Sequence, residues 1–196
     1  MKKSTIIWIA IGVVVLLLFG GMRGSYNKMV SMEESVAAQW SQVENVYQRR
    51  ADLIPNLVNT VKGYASHEQE TLESVINARA KATQVKVDAS QLNESSVQKF
   101  QEAQSGLSSA LSRLMVVMER YPDLKANQNF RDLQAQLEGT ENRISVERRK
   151  FNDAARTYNT YIRKFPQVFY ANIFGFEKKA YFESSEGAEQ APEVQF

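Results

Sequence analysis

The chain has 196 residues, of which 43% are hydrophobic and 23% charged, with a formal net charge of +2 and no cysteine. The near balance of charge gives no global signal for nucleic acid or an acidic substrate, and the lack of cysteine excludes disulfides, thiolate metal sites and cysteine nucleophiles. With only 9 glycines and 4 prolines, a turn-rich all-β domain is disfavoured.

Lys2 and Lys3 precede an uncharged stretch, Ser4 to Met22, which Arg23 closes. As a helix it reaches roughly 28 Å, close to the thickness of a bilayer core. It exceeds the roughly 7–15 apolar residues of a signal peptide and no A-x-A site follows, so it reads as an uncleaved signal anchor. The small residues Gly20, Gly21, Gly24 and Ser25 keep cleavage open as the rival reading. Lys2 and Lys3 stand against Arg23 and Lys28 in a nearly even positive-inside comparison. The basic pair just before the span places the rest of the chain outside the cytoplasm.

From Tyr26, alternating steps of three and four give Tyr26, Met29, Glu33, Val36, Trp40, Val43, Tyr47, Arg50, Ile54, Leu57, Val61 and Tyr64. This is a helical stripe, and it fails the alternation of a strand. Pro55 is expected to bend or split that helix. Ser66-His67-Glu68-Gln69 has the form of a capping box, opening a second helix to about Val85 with Leu72, Val75, Ile76, Ala82 and Val85 inward. After a polar break at Asp88-Ala89-Ser90, a third stripe follows: Val97, Phe100, Gln104, Leu107, Leu111, Leu114, Met118 and Tyr121. Tyr121-Pro122 ends it. Asn127 suits the N-cap of a fourth helix, with Phe130, Leu133, Leu137, Thr140, Ile144, Glu147, Phe151, Ala154, Tyr158, Tyr161 and Phe165 in register up to Pro166. The fold class is therefore all-α: a single N-terminal transmembrane helix, then an antiparallel up-down four-helix bundle of long helices with coiled-coil-like packing. The divisions are 1–25 for the anchor (span about 4–22), 26–165 for the bundle, and 166–196 for an aromatic membrane-proximal segment and polar tail.

Glu33, Arg50, Gln104, Thr140 and Glu147 interrupt these stripes. For most of them the reading is a stripe edge with a solvated head. Arg50, between Tyr47 and Ile54, reads as a buried charge paired with an acid of the fourth helix, Glu141 or Glu147. His67 is the single histidine, and no H-x-x-x-H, phosphate loop, dinucleotide fingerprint or nucleophile elbow is found. The chain therefore reads as a non-enzyme, with no catalytic, cofactor-binding or metal-ligating residues and no small-molecule substrate. Arg49-Arg50 and Arg148-Arg149-Lys150 read as solvated faces among acids, not as a nucleic-acid groove. Phe165, Phe169, Tyr170, Phe174, Phe176, Tyr181 and Phe182, flanked by Arg163, Lys164, Lys178 and Lys179, form a possible interaction surface near membrane lipids. Packing on the bundle's own side is the open alternative. Glu183 to Phe196 reads as a polar, disordered tail.

The chain carries in order the runs Trp40-Ser41-Gln42-Val43-Glu44, Arg49 through Val58, Tyr64-Ala65-Ser66-His67-Glu68, Ala78-Arg79-Ala80, Tyr121 through Asn127, Glu138 through Ile144, Tyr158-Asn159, Phe174-Gly175-Phe176, Tyr181-Phe182 and Pro192 through Phe196. Together these runs resemble the signature of the LemA family of bacterial membrane proteins. The resemblance covers Tyr26 to Phe196 in order. It implies an antiparallel helical bundle behind an N-terminal span in a bacterial envelope, no settled activity, and a defined C-terminus able to bind something. The resulting reading is a non-catalytic scaffold or adaptor of the inner membrane, acting through protein–protein contact and self-assembly as a homo-oligomer with a possible envelope protein partner. The alternative is a sensor or regulatory subunit of an envelope enzyme such as a membrane protease.

Overall fold

The computed structural model describes residues 3–183, and among these the structure is all-helical. The expected tail lies outside the described residues from 184 onward.

The first helix, α1, runs without a break from Lys3 to Lys62, 60 residues and about 90 Å. Its apolar start is long and apolar enough to cross a membrane, and none of the described residues of that stretch is buried. From Met29 the same helix turns Met29, Val36, Trp40, Val43, Tyr47, Ile54, Leu57 and Val61 into the core. Tyr26 and Tyr64, expected at the two ends of this stripe, are exposed.

α1 does not split at Pro55. A proline inside a helix has no N–H for the carbonyl four residues earlier, here that of Ala51. Arg79 fills the gap, its Nε donating to the Ala51 carbonyl at 2.7 Å. The side chain comes from α2 (Gln69–Gln84), so tertiary structure satisfies what local sequence leaves open.

The capping box at Ser66 does not form. α2 starts at Gln69 behind Glu68, with no side-chain cap. Glu68 instead accepts from Arg120 Nη2 at 3.0 Å and from Tyr121 Oη at 2.8 Å, tying the start of α2 to the end of α3 (Glu94–Met118). Ile76, expected inward, is exposed, and Val85 is half-buried. α3 is capped by Asn93, whose side chain accepts from Ser96 N. Its buried stripe takes in Ala110, while Leu111 is only half-buried. A five-residue helix, α4 (Pro122–Ala126), buries Leu124 in the turn. α5 (Gln128–Ile162) begins at the expected cap, Asn127, which accepts from Phe130 N. Along α5 the buried set drifts from the strict three-four count. Ala155 and Ile162 face inward in place of Ala154 and Tyr161, as a 3.6-residue turn requires over ten turns. The helix ends at Ile162, leaving Phe165 exposed.

Neighbouring contacts that climb α1 descend α5. Trp40 meets Phe151, Arg50 meets Glu141, and Tyr64 accepts from Asn127. The core forms two apolar clusters. One holds Met29 to Tyr47 with Phe100, Phe151, Tyr158 and Phe182. The other holds Ile54 to Ala65 with Leu72, Leu107, Leu114, Met118 and Phe130. α6 (Gln167–Phe174) then lies beside α1 and ends at Gly175, whose φ of 75° is a left-handed C-cap. From Phe176 to Glu183 the chain turns back as an extended strap over α5.

Candidate functional site

Arg50 lies between the two apolar clusters and is 2% exposed. Its Nη1 donates to Ser108 Oγ at 2.8 Å and to Glu141 Oε2 at 2.9 Å. Its Nη2 donates to the Gln104 carbonyl at 3.2 Å and to Gln104 Oε1 at 2.8 Å, while Nε has no partner among the described residues. The guanidinium also stands 5.1 Å from the Tyr47 ring centroid. Gln104 Nε2 donates onward to the Ala82 carbonyl, so one polar layer links α1, α2, α3 and α5. A planar guanidinium suits this role because its donors radiate in one plane toward several helices.

The layer differs from the stripe-edge reading. Gln104 and Thr140 are buried, not edge positions, and Thr140 satisfies its hydroxyl by donating to the Gln136 carbonyl at 2.7 Å. Of the two candidate acids, Glu141 meets Arg50, with a side chain that is 54% exposed. Glu147 pairs with Lys150 on its own helix. Burial raises the Tyr47 hydroxyl pKa, and the nearby Arg148 and Arg50 only partly offset this.

α3 and α5 leave between them a groove of about 1240 Å³, floored by Tyr47 and Arg50 and walled by Gln101, Ser108, Glu141 and Arg148. The strap lies at one end of it, held by two asparagines of α5. Asn159 Oδ1 accepts from Lys179 N and its Nδ2 donates to Lys179 O. Asn152 makes the same pair of bonds with Phe182 N and O. The spacing is a geometric match: seven helical residues and three extended residues each advance about 10 Å. Ala180 N adds a bond to the Leu92 carbonyl, and Arg148 donates to the Glu183 carbonyl.

The seven aromatics of the C-terminal segment divide. Phe165, Phe169 and Phe174 are exposed, and Tyr170, Phe176 and Tyr181 are half-buried. Phe182 is a correction to the exposed-surface reading. It stacks on Trp40 at 5.7 Å and packs edgewise on Phe151 at 5.4 Å, inside the core. Lys179 is also buried, with Nζ 2.6 Å from Glu33 Oε1 and 5.8 Å from the Tyr158 ring centroid. That pairing accounts for Glu33 within an apolar stripe. Sequence reasoning missed the role of Asn152, Asn159, Lys179 and Arg79. The one available signal was two asparagines seven residues apart on the inward side of α5. What these groups offer is hydrogen bonding to an extended main chain.

Comparison with known proteins places the chain in a context. A model of the LemA family matches residues 39–196. Two magnetosome MamQ proteins of Paramagnetospirillum magneticum are each 29% identical over 175 residues, covering 81% of this chain and 64% of the relative. MamQ of Magnetospirillum gryphiswaldense is 28% identical over 80% of the chain and 64% of its own length. Protein LemA of Metamycoplasma hominis is 25% identical over 83% of the chain and 71% of its length. The chain thus spans 64% of the length of the magnetosome relatives.

Proposed function

The chain belongs to the LemA family, and from that premise we propose that it is a non-catalytic scaffold or adaptor of a bacterial envelope. In this reading the start of α1 anchors it in the inner membrane as a single pass, with the helical domain on the extracytoplasmic side. The domain is an antiparallel four-helix bundle that works by contact with copies of itself and with partner proteins.

One observation carries the proposal: a single helix joins an uncovered apolar stretch to a core stripe without a break. A domain continuous with its anchor is held at a fixed height above the bilayer, which suits a platform more than a diffusing catalyst. Two features add to it. The charged groups of the interior, Arg50 and Lys179, are used in hydrogen bonds and ion pairs that link helices and strap. The groove between α3 and α5 is lined by the polar side chains of Gln101, Ser108, Glu141 and Arg148, which supports contact with a polar partner surface. The names of the relatives, LemA and magnetosome protein MamQ, state no reaction.

The test is the mass and composition of full-length protein extracted from membranes in mild detergent. The scaffold reading expects a homo-oligomer by light scattering, and crosslinks between copies in intact membranes. A monomer that recovers one second protein in fixed ratio would replace it with the regulatory-subunit reading. Release from membranes by alkaline carbonate would remove the anchor on which both depend.

A further inference from the structure

The segment from Arg163 to Lys178 carries apolar side chains that nothing among the described residues covers. Phe165 is 80% exposed, Phe169 57% and Ile173 71%. Phe169 and Ile173, four residues apart, share one face of α6, and Phe165 in the turn before it joins them, its ring 5.8 Å from that of Phe169. The other side faces the domain: Ala171 is buried, and Val168 and Tyr170 are half-buried. α6 is therefore apolar on both sides, with its inner face already used.

Its position is set by α1. Met22 ends the uncharged stretch, and Tyr26 follows four residues later on the same helix, about 6 Å along the axis. The Tyr26 ring lies 4.9 Å from that of Phe174 and 5.6 Å from that of Phe176. If the stretch before Met22 lies in a bilayer, α6 sits at that bilayer's surface, with no hinge in α1 to move it away. The surrounding charges fit such a place. Arg23, Lys28, Arg163, Lys164 and Lys178 are all exposed, and Glu177 is the one acid between residues 163 and 178. Exposed rings with basic groups around them suit the boundary between acyl chains and anionic headgroups.

We infer that α6 is a second membrane contact, with Phe165, Phe169 and Ile173 entering the headgroup boundary of an anionic leaflet beside the α1 span. The inference rests on the anchor part of the proposed function. It adds that the domain touches the bilayer at two points and is fixed in rotation about α1 as well as in height. A single helix cannot supply that second constraint.

The chain has no cysteine, so single-cysteine variants can each carry one nitroxide label. Val13→Cys reports the span, Phe169→Cys and Ile173→Cys report α6, and Arg143→Cys reports an exposed position on α5. Full-length protein is reconstituted in vesicles of phosphatidylcholine with phosphatidylglycerol, and label collisions with oxygen and with a water-soluble nickel chelate are compared. The expected result is a deep-lipid signature at 13, an interfacial signature at 169 and 173, and an aqueous signature at 143. Omitting phosphatidylglycerol should move 169 and 173 toward water and leave 13 unchanged. Labels at 169 and 173 as aqueous as 143, with 13 still in lipid, would overturn the inference and leave the anchor standing. Spin–spin broadening at 169 and 173 without oxygen preference would overturn it in favour of a second copy. An aqueous signature at 13 would defeat the anchor reading itself.

Discussion

Arg79 Nε lies 2.7 Å from the carbonyl oxygen of Ala51, the acceptor that Pro55 leaves without its helical partner. α1 stays helical across Pro55, where the side chain of Arg79, 28 residues beyond Ala51 in sequence, completes the hydrogen bonding.

The relationship predicts coupling between Arg79 and Pro55. Arg79→Ala should cost about 1.5–3 kcal/mol, the range for a hydrogen bond from a charged donor. In a Pro55→Ala background residue 55 regains an N–H for Ala51, so Arg79→Ala should cost less there. Denaturation of the four proteins of the cycle in detergent would show a coupling of about 0.5–3 kcal/mol. Strictly additive costs would mean that Arg79 acts through something other than the orphaned carbonyl.

Arg50 gives an asymmetric prediction. Arg50→Ala removes four hydrogen bonds and strands the Gln104 side-chain oxygen within the core, so it should destabilise by about 3–5 kcal/mol. Glu141→Gln should cost about 1 kcal/mol or less, because that carboxylate is half in water and its attraction is screened. Melting curves of the two variants decide the matter. Equal losses would show that the ion pair, not the hydrogen-bonded layer, carries the stability.

The strap predicts a local effect. Asn159→Ala removes both the acceptor for Lys179 N and the donor to Lys179 O, and Asn152→Ala does the same at Phe182. Amide exchange at residues 179 to 182 should accelerate by one to a few orders of magnitude, corresponding to about 1–3 kcal/mol per lost pair. Amides of α3 should keep their protection. Uniform acceleration across the chain would mean that the strap opens only with global unfolding.

These sites mark where sequence was legible. The helices followed from apolar spacing, Asn127 from its place before a stripe, and the pairing of Arg50 with a fourth-helix acid from its apolar neighbours. Each depends on residues close in sequence or on one periodic face. The continuity of α1 depends on Arg79, which no window around Pro55 contains. Ser66 has the spacing of a cap, but Glu68 bonds to Arg120 and Tyr121 across the turn, and the helix starts at Gln69 with no side-chain cap. The strap was least legible. An extended segment has no periodic burial to read when its partners are two asparagine side chains. Phe182 therefore looked like one of seven surface rings until the chain direction after Gly175 was known.

The last prediction concerns alkaline pH. Tyr158 is fully buried, and its hydroxyl has no hydrogen-bond partner among the described residues. Burial raises its pKa far above the ordinary 10.0, with Glu33 and Glu177 adding to the shift. Folded, the hydroxyl keeps its proton where the unfolded chain releases it. The unfolded state thus binds fewer protons above pH 10, and stability must fall as pH rises through that value. Below it, both states are protonated and the group makes no pH-dependent contribution. Tyr158→Phe keeps the ring that faces Lys179 and removes the unpartnered hydroxyl. At neutral pH it should leave stability unchanged or raise it by up to about 1–3 kcal/mol, since a desolvated polar group is lost. Above pH 10 it should also flatten the decline relative to wild type. Phenolate titration should show Tyr158 ionising only as the protein unfolds. If wild type and Tyr158→Phe lose stability in parallel through pH 10–12, water reaches the hydroxyl and the packing around α5 and the strap is looser than its geometry indicates.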